Sequence, residues 1–300
     1  INPNGSLDLN GLSVSKSITL NGGSLTNSNT TTAATLSNSI TITLTADSTL
    51  MAATGAVLNI GTFGAAAPIT GSFAIRIGNS SNRGDVKYQY GKNDYTGGTF
   101  IDYGQLILKD STYTGTTNMV GTGAVTINPN GIFVNFDYVV PNAITLNGGI
   151  LSGNSPNTSA GEYSGVITLT ADSTIAGYSA PGVSGALKIT GGIIGNYGIT
   201  IGTADLTGRV NFNAVTSPKV YSYTGSTIVA YGALSLFSVT SVATSSLLRV
   251  DANGALYLPA TTTFTKAVTL NGGLLVAAAA NTTTVSSALT LTADSKIAAA

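Results

Sequence analysis

Short strings of alternating apolar and polar residues recur along this chain, and most of them end at Asn-Gly, Gly-Gly or Ala-Asp pairs. Apolar residues at every second position place one face inward and leave Thr, Ser or Lys outward. Val, Ile and Thr favour strands, whereas Gly and Asn supply the positive φ that sharp corners need. The pattern therefore predicts short strands joined by corners. In the middle of the chain they occupy residues 124–127, 143–146, 166–169, 186–189, 198–201, 233–236 and 247–250.

A longer repeat contains these strings. Ile-Asn-Pro-Asn-Gly at residues 1–5 returns unchanged at 127–131, an offset of 126 residues, and Val-Asp-Ala-Asn-Gly at 250–254 is a degraded third copy. Other strings return in the same order: residues 18–23 at 144–149 and 268–273, 44–49 at 169–174 and 291–296, and 95–99 at 223–227. The repeat predicts unit 1 at residues 1–126, unit 2 at 127–249 and a partial unit 3 at 250–300. We expect one continuous solenoid that is a fragment of a longer array.

The shorter rhythm within each unit predicts the fold class. Most strands recur about every twenty residues, and no stretch has an amphipathic helical pattern with caps. Coils of this length, repeated without helices, favour an all-β parallel β-helix, or solenoid, with roughly 20-residue coils. Sandwiches rarely repeat their sequence over such distances, and propellers need blades of about 40–50 residues.

Composition narrows the function classes. Of the 300 residues 43% are hydrophobic but only 8% are charged, with twelve basic and twelve acidic side chains. A neutral chain offers no basic patch for nucleic acid, and no run of eighteen apolar residues exists, so we expect no membrane insertion by this segment. The absence of Cys and His excludes disulfides and Ser–His or Cys–His nucleophiles.

Several segments resemble the autotransporter-associated β-strand repeat. The resemblance is carried by Thr-Gly-Gly-Thr-Phe-Ile-Asp-Tyr-Gly-Gln-Leu-Ile-Leu at residues 96–108, by its copy at 224–236, and by the strings at 121–131 and 7–11. The family implies right-handed β-helical passengers of very large secreted proteins, with roles as adhesins or surface fibres. The implied location is therefore extracellular or at the cell surface, either attached to an outer membrane or secreted.

Ionic side chains are the candidates for catalysis. The densest group consists of Arg83, Asp85, Lys87, Lys92, Asp94 and Asp102, whereas Asp47, Asp172 and Asp294 occupy one repeated corner position. We interpret the former as a solvated face and the latter as turn caps. No catalytic residue, cofactor or metal site is therefore predicted. The glycine-rich nonapeptide of calcium-binding rolls is also absent, which leaves a single surface calcium ion undecided.

Two binding motifs remain. Tyr95 and Tyr103 match Tyr223 and Tyr231, and regularly spaced exposed rings would form a glycan-contact stripe; the alternative is that they pack coil on coil. Arg83, Gly84 and Asp85 spell an integrin-type cell-attachment tripeptide. Such short motifs arise often by chance. The alternating residues that follow Asp85 indicate the start of a strand.

These observations favour a structural segment of a long secreted or cell-surface fibre or adhesin stalk, acting as a rigid spacer. An uncharged surface predicts lateral or end-to-end self-association. The first alternative is a glycan-binding adhesin surface, whose partners would be surface glycans or other cells. The second is a β-helical polysaccharide lyase or hydrolase, which needs one irregular cleft with several ionic residues on neighbouring coils.

Overall fold

The computed structural model describes residues 1–37, 40–62, 68–89, 92–108, 118–136, 138–153, 161–178, 186–213, 219–259, 263–277 and 283–299. They contain 31 strands and one 3₁₀ helix, Val239–Val242. The chain forms two compact units, Ile1–Thr145 and Leu146–Ala300. The boundary between them does not coincide with the predicted start of repeat unit 2 at residue 127, so the threefold sequence division stays a prediction.

The first unit contains fourteen strands and the start of the fifteenth, which crosses the boundary between the units. They are β1 Ser6–Asp8, β2 Ser13–Val14, β3 Ile18–Asn21, β4 Ser24–Asn27, β5 Ala34–Leu36, β6 Ile42–Ala46, β7 Ser48–Ala52, β8 Val57–Ile60, β9 Ile69–Thr70, β10 Ile75–Ile77, β11 Asp85–Tyr88, β12 Thr99–Leu108, β13 Val125–Asn135, β14 Val139–Val140 and β15 Ile144–Asn147.

The second unit contains the remaining strands. They are β16 Ile150–Gly153, β17 Glu162–Tyr163, β18 Ile167–Ala171, β19 Ser173–Gly177, β20 Ala186–Ile189, β21 Ile193–Gly195, β22 Ile199–Ile201, β23 Arg209–Phe212, β24 Thr227–Leu236, β25 Leu248–Tyr257, β26 Thr263–Phe264, β27 Val268–Asn271, β28 Leu274–Ala277, β29 Thr284–Val285, β30 Leu289–Ala293 and β31 Lys296–Ala299. Each of the seven strings predicted in the middle of the chain coincides, to within a few residues, with a strand or with part of a longer strand.

Within the first unit, equivalent strands of successive coils pair in parallel, which confirms the predicted β-solenoid. One stack runs through β1, β4, β7 and β10 into the first halves of β12 and β13. A second runs through β2, β5, β8 and β11 into the second halves of the same two strands. A third contains β3, β6 and β9. Each of the long strands β12 and β13 therefore belongs to two of these stacks.

The core of each unit is a ladder of inward side chains. In the first unit paired strands align Leu7, Leu25, Leu50, Ile77, Ile101 and Ile127, of which all but Leu7 are fully buried. In the second unit the aligned residues are Leu151, Ile175, Ile201, Val229, Val250 and Leu270, each buried. Each such side chain contributes about 1.5–3 kcal/mol of hydrophobic stabilisation before entropy is counted.

The distance along the sequence from one coil to the next varies more than the strings predict. Ser6 pairs with Ser24, a stride of 18 residues, whereas Ile199 pairs with Thr227, a stride of 28 residues. Predicted coils of about twenty residues lie at the short end of this range. The difference arises in the connections, because paired strands stay in register whatever length of chain joins them.

One corner is held to the following coil by side-chain hydrogen bonds. Between β3 and β4, Gly22 has φ +82° and donates its N–H to Ser48 Oγ at 3.0 Å. The Thr45 hydroxyl donates to Asn21 Oδ1 at 3.1 Å, and the Ser48 hydroxyl donates to the Ala46 carbonyl at 2.9 Å. We call Asn21, Gly22, Thr45 and Ser48 the corner clasp. It explains why the Asn-Gly string and the Leu-Thr-Ala-Asp-Ser string recur together.

The second unit contains the same clasp twice. The glycine N–H to serine Oγ distances are 2.9 Å for Gly148 and Ser173 and 3.0 Å for Gly272 and Ser295. The threonine hydroxyl to asparagine Oδ1 distances are 3.1 Å for Thr170 and Asn147 and 3.1 Å for Thr292 and Asn271. Copies of one sequence motif therefore have one geometry.

The repeated aspartate next to the clasp accepts a hydrogen bond from a backbone N–H of the coil that follows. Asp47 is the single residue between β6 and β7, and its Oδ1 accepts the Ala74 N–H at 2.8 Å. Asp172 accepts the Gly198 N–H at 2.6 Å in the same way. A structural role at a corner is therefore confirmed for these two residues, but each carboxylate caps an N–H of the next coil and not of its own turn. The residue pattern did not predict the strand that begins directly after each of them, which is β7 after Asp47 and β19 after Asp172.

Two Asn-Gly pairs are not corners. Asn130 and Asn253 lie inside β13 and β25, although their sequence predicts sharp turns. In β13 the register passes from Ile101 paired with Ile127 to Tyr103 paired with Asn130, so β13 carries one extra residue. A bulge therefore absorbs the turn-forming residues, and it includes Pro129, which a regular ladder excludes.

Candidate functional site

The Arg83-Gly84-Asp85 tripeptide enters a strand. The Arg83 side chain donates from Nε to the Ser80 carbonyl at 3.1 Å, and its guanidinium carbon lies 5.0 Å from the ring centroid of Tyr103. Gly84 is buried, and Asp85 begins β11 with its carboxylate 3.4 Å from Lys87 Nζ. This placement at a strand onset differs from the protruding loop that a cell-attachment motif needs. Cell attachment therefore stays a prediction without support from the geometry.

Two of the predicted glycan-contact tyrosines are in the core. Tyr95 and Tyr223 are 0% exposed, and each hydroxyl lies 2.6 Å from the threonine hydroxyl four residues later, Thr99 and Thr227. Burial raises the pKa of Tyr95 to about 12, while its hydrogen bond to Thr99 acts in the opposite direction. A ring without accessible surface does not stack on a sugar. The glycan stripe is therefore wrong for these two residues, which instead pack between coils.

The other two predicted tyrosines are half-buried at the bulges. Tyr103 and Tyr231 follow the register shifts of β12–β13 and β24–β25, where Tyr103 pairs with Asn130 and Tyr231 with Asn253. Their backbones are tightly packed, because a Cβ added at Gly78 would lie 2.2 Å from the Tyr103 carbonyl oxygen. A role of Tyr103 and Tyr231 in glycan contact stays a prediction.

The ionic cluster predicted as the best catalytic candidate is divided. Asp85 pairs with Lys87, whereas Asp102 pairs with Arg76, 2.7 Å from carboxylate oxygen to Arg76 Nη1. Lys92 and Asp94 are exposed and belong to no ion pair found among the described residues. The group therefore does not converge on one point, and the enzyme hypothesis gains no support from it.

The structure places Asp102 instead in an open groove on the first unit. The groove has a volume of about 410 Å³ and is lined by outward residues of β4, β7, β10, β12 and β13 and the residues beside them, among which are Ser24, Thr49, Arg76, Asp102, Tyr103 and Asn128. Ser24 pairs with Thr49, and Thr49 pairs with Arg76. The groove therefore crosses successive coils.

A connected polar network occupies one side of this groove. Asp102 receives hydrogen bonds from Arg76 at 2.7 Å and from the Asn128 amide at 2.6 Å. The Arg76 guanidinium carbon lies 4.7 Å from the ring centroid of Phe100, a distance at which the ring attracts the cation. Arg76 is 48% exposed and Asp102 20% exposed. The pair is therefore oriented by its neighbours and still reachable from solvent.

Sequence reasoning missed Arg76 and Asn128 as site residues. Each lies 26 residues from Asp102, and the predicted stride of about twenty residues does not align them. A stride of 24–26 residues, which the structure has at this point, brings all three to adjacent strands. The available signal was the departure of Arg76 and Asp102 from the second copy of the repeat.

Within the described stretches, no three side chains among His, Cys, Asp and Glu come together as a metal-ion site would require. No helix in the described part of the chain has the length and apolar character needed to cross a membrane. Among proteins already known, no family model, curated protein or solved structure matches this chain.

Proposed function

We propose that this chain is a structural segment of a long secreted or cell-surface fibre or adhesin stalk, and that it acts as a rigid spacer. The observation that carries the proposal is the regular stacking of equivalent strands, which stay in register although the connections between them differ in length. Within each unit equivalent strands pair in parallel over a buried ladder, and a corner clasp recurs with each copy of its sequence motif. A coil stacked in this way adds about 4.8 Å of length without a new fold.

Interactions between neighbouring coils support the rigidity of such a spacer. Each clasp joins one coil to the next, and the Asp47 carboxylate joins the clasp corner to the coil that follows. Within each unit, sheet pairing, core packing and side-chain hydrogen bonds therefore all join one coil to the next. Stability of the stack is close to a sum over neighbouring coils.

The outward surface supports self-association. Thr19, Thr43 and Thr70 align on three paired strands, and none of them carries a charge. Rows of this kind lack the electrostatic repulsion that keeps polar surfaces apart. We propose that copies of the chain associate through such rows, laterally or end to end.

The location of the protein rests on sequence alone. The string at residues 96–108 and its copy at 224–236 resemble the autotransporter-associated β-strand repeat and contain β12 and β24. We propose a secreted or outer-membrane-attached location on this resemblance. Surface glycans or other cells are the partners that such a location would offer.

Electron microscopy of the native parent protein tests the spacer. A uniform thin filament whose length scales with the number of repeats is the expected result. A compact globular particle would contradict the proposal, whatever the chain binds.

Sedimentation velocity over a range of concentrations tests the association. We expect the sedimentation coefficient to rise with concentration, and we expect Thr43→Lys to suppress the rise by placing a charge in the row. Ser15→Lys is the matched control, because it adds the same charge at an exposed residue outside the row. A strict monomer at high concentration, or equal effects of the two variants, would contradict association through this row.

A further inference from the structure

The groove on the first unit has the shape of a site for an extended ligand. Five successive strands contribute to it, so it extends over roughly 20 Å at about 4.8 Å per strand. Its floor is polar: Ser24 and Thr49 supply hydroxyls, and Asn128 supplies an amide. A groove of this form contacts several consecutive groups of a chain molecule instead of enclosing a small one.

The charges in the groove select the chemistry of that ligand. Arg76 and Asp102 neutralise each other at 2.7 Å, so the site has no excess of either sign for a phosphate or an amine. Hydroxyls both donate and accept hydrogen bonds, which allows neighbouring hydroxyls to bridge a guanidinium and a carboxylate. Hydrogen bonds to charged groups are also stronger than neutral ones.

Aromatic rings stand beside these polar groups. The half-buried ring of Tyr103 lines the groove, with the Arg83 guanidinium carbon 5.0 Å from its centroid, whereas the ring of Phe100 lies next to the Arg76 guanidinium outside the lining. Amphipathic ligands place apolar C–H faces against such rings and hydroxyls against the polar groups. A sugar ring has both kinds of surface.

A β-bulge, which recurs in β25 of the second unit, shapes one wall of the groove. The bulge of β13 brings Asn128, Pro129 and Asn130 into that wall, and bulges commonly redirect side chains at functional sites. The second repeat keeps the surrounding string but replaces the pair, since Thr200 stands in place of Arg76 and Ala230 in place of Asp102. The ion pair is therefore unnecessary for building this coil.

We infer that this groove is a binding site for neutral oligosaccharide chains, with the Arg76–Asp102 pair as its principal polar contact. The site binds without cleaving, because Asp102 is the single carboxylate among the described residues that line the groove. Hydrolysis of glycosidic bonds generally uses two carboxylates about 5–10 Å apart. This inference does not depend on the proposed spacer function.

Titration with defined sugars tests the inference. The probes are neutral hexasaccharides of glucose, mannose, galactose and N-acetylglucosamine, with polygalacturonate as the anionic comparison. The double variant Arg76→Thr, Asp102→Ala copies the second repeat, so the fold accommodates it. The control is Arg249→Thr, Asp251→Ala, which removes a 2.9 Å ion pair in the second unit.

Calorimetry and amide chemical shifts measure the binding. We expect at least one neutral hexasaccharide to bind, with shifts at Arg76 and Asn128, and affinity at least about tenfold lower in the double variant. The control variant should bind normally. The reciprocal variant Thr200→Arg, Ala230→Asp, Asp251→Asn should create weak binding in the second unit, because Asp251 stands where the first repeat has Asn128.

Three results would overturn the inference. They are the absence of binding by every neutral hexasaccharide at roughly millimolar concentration, unchanged affinity in the double variant, and binding of polygalacturonate alone. Shortening of a bound hexasaccharide during the titration would refute binding without cleavage. None of these results bears on filament formation by the parent protein, so failure here is distinguishable from failure of the proposed function.

Discussion

Ser48 is the residue on which two hydrogen bonds of the corner clasp meet. Its Oγ accepts the Gly22 N–H at 3.0 Å and donates to the Ala46 carbonyl at 2.9 Å. Ser48→Ala removes both bonds while leaving the backbone of β7 free to pair. The side chain is 2% exposed, so water does not replace the lost hydroxyl without local opening.

The expected loss of stability follows from this geometry. A typical hydrogen bond contributes about 0.5–1.5 kcal/mol net, and a buried partner left unsatisfied costs about 1–3 kcal/mol. Gly22 and Ala46 are only half-buried, which moderates the penalty. We therefore expect Ser48→Ala to lower the free energy of unfolding by about 1–3 kcal/mol. Ser173→Ala should cause a similar loss, because the distances in the second unit are nearly the same.

Urea unfolding followed by far-ultraviolet circular dichroism measures the effect globally. Repeat arrays can unfold in parts, so hydrogen exchange of the Gly22 amide supplies a local measurement. Ser13→Ala is the matched control, because Ser13 is an exposed serine in a strand of the same unit. Its substitution should change stability by less than about 0.5 kcal/mol.

A stabilising role of the clasp fails if Ser48→Ala and Ser173→Ala destabilise the protein no more than Ser13→Ala. It also fails if the Gly22 amide exchanges at the same rate in wild type and in Ser48→Ala. Either outcome would mean that sheet pairing and core packing alone hold the coils together.

Burial raises the pKa of Tyr95 from 10.0 to about 12, so the fold holds a proton that the unfolded chain loses. Stability should therefore fall between about pH 10 and 12, and less steeply in Tyr95→Phe; equal slopes in alkaline unfolding would contradict this. Gly78→Ala forces a Cβ to 2.2 Å from a carbonyl oxygen at φ +70°, whereas Gly55 at φ +86° has open space. We expect Gly78→Ala to lower the free energy of unfolding by at least about 3 kcal/mol, and Gly55→Ala to lower it by about 1–2 kcal/mol. Equal unfolding midpoints of the two glycine variants would refute this expectation.

Much of the fold could be predicted from period-two alternation and from the repeat. Strands such as β15, β18 and β20 coincide with predicted strings. Alternation predicts such strands well, because a slip of one residue would reverse which face is buried. Strands β7 and β19 were missed because Asp47 and Asp172 mark a turn. A one-residue corner and a longer turn have the same residue types, and only packing decides between them.

The candidate site was less predictable for a geometric reason. Arg76, Asp102 and Asn128 become neighbours only when the stride of their own coils is known. The period of the strings gives an average stride, and an error of a few residues places a side chain at a different point of the coil. The burial of Tyr95 was similarly undecided, because a tyrosine suits both a core and a sugar-binding surface.

The spread of strides from 18 to 28 residues has a practical consequence. Paired strands hold their alignment while the connections differ by as many as ten residues, so the coil already contains natural positions for foreign sequence. Lengthening a surface connection costs little, about 0.6 kcal/mol for each doubling. Peptide epitopes or enzyme tags could therefore be displayed at the outer connections, at intervals set by the stacked strands.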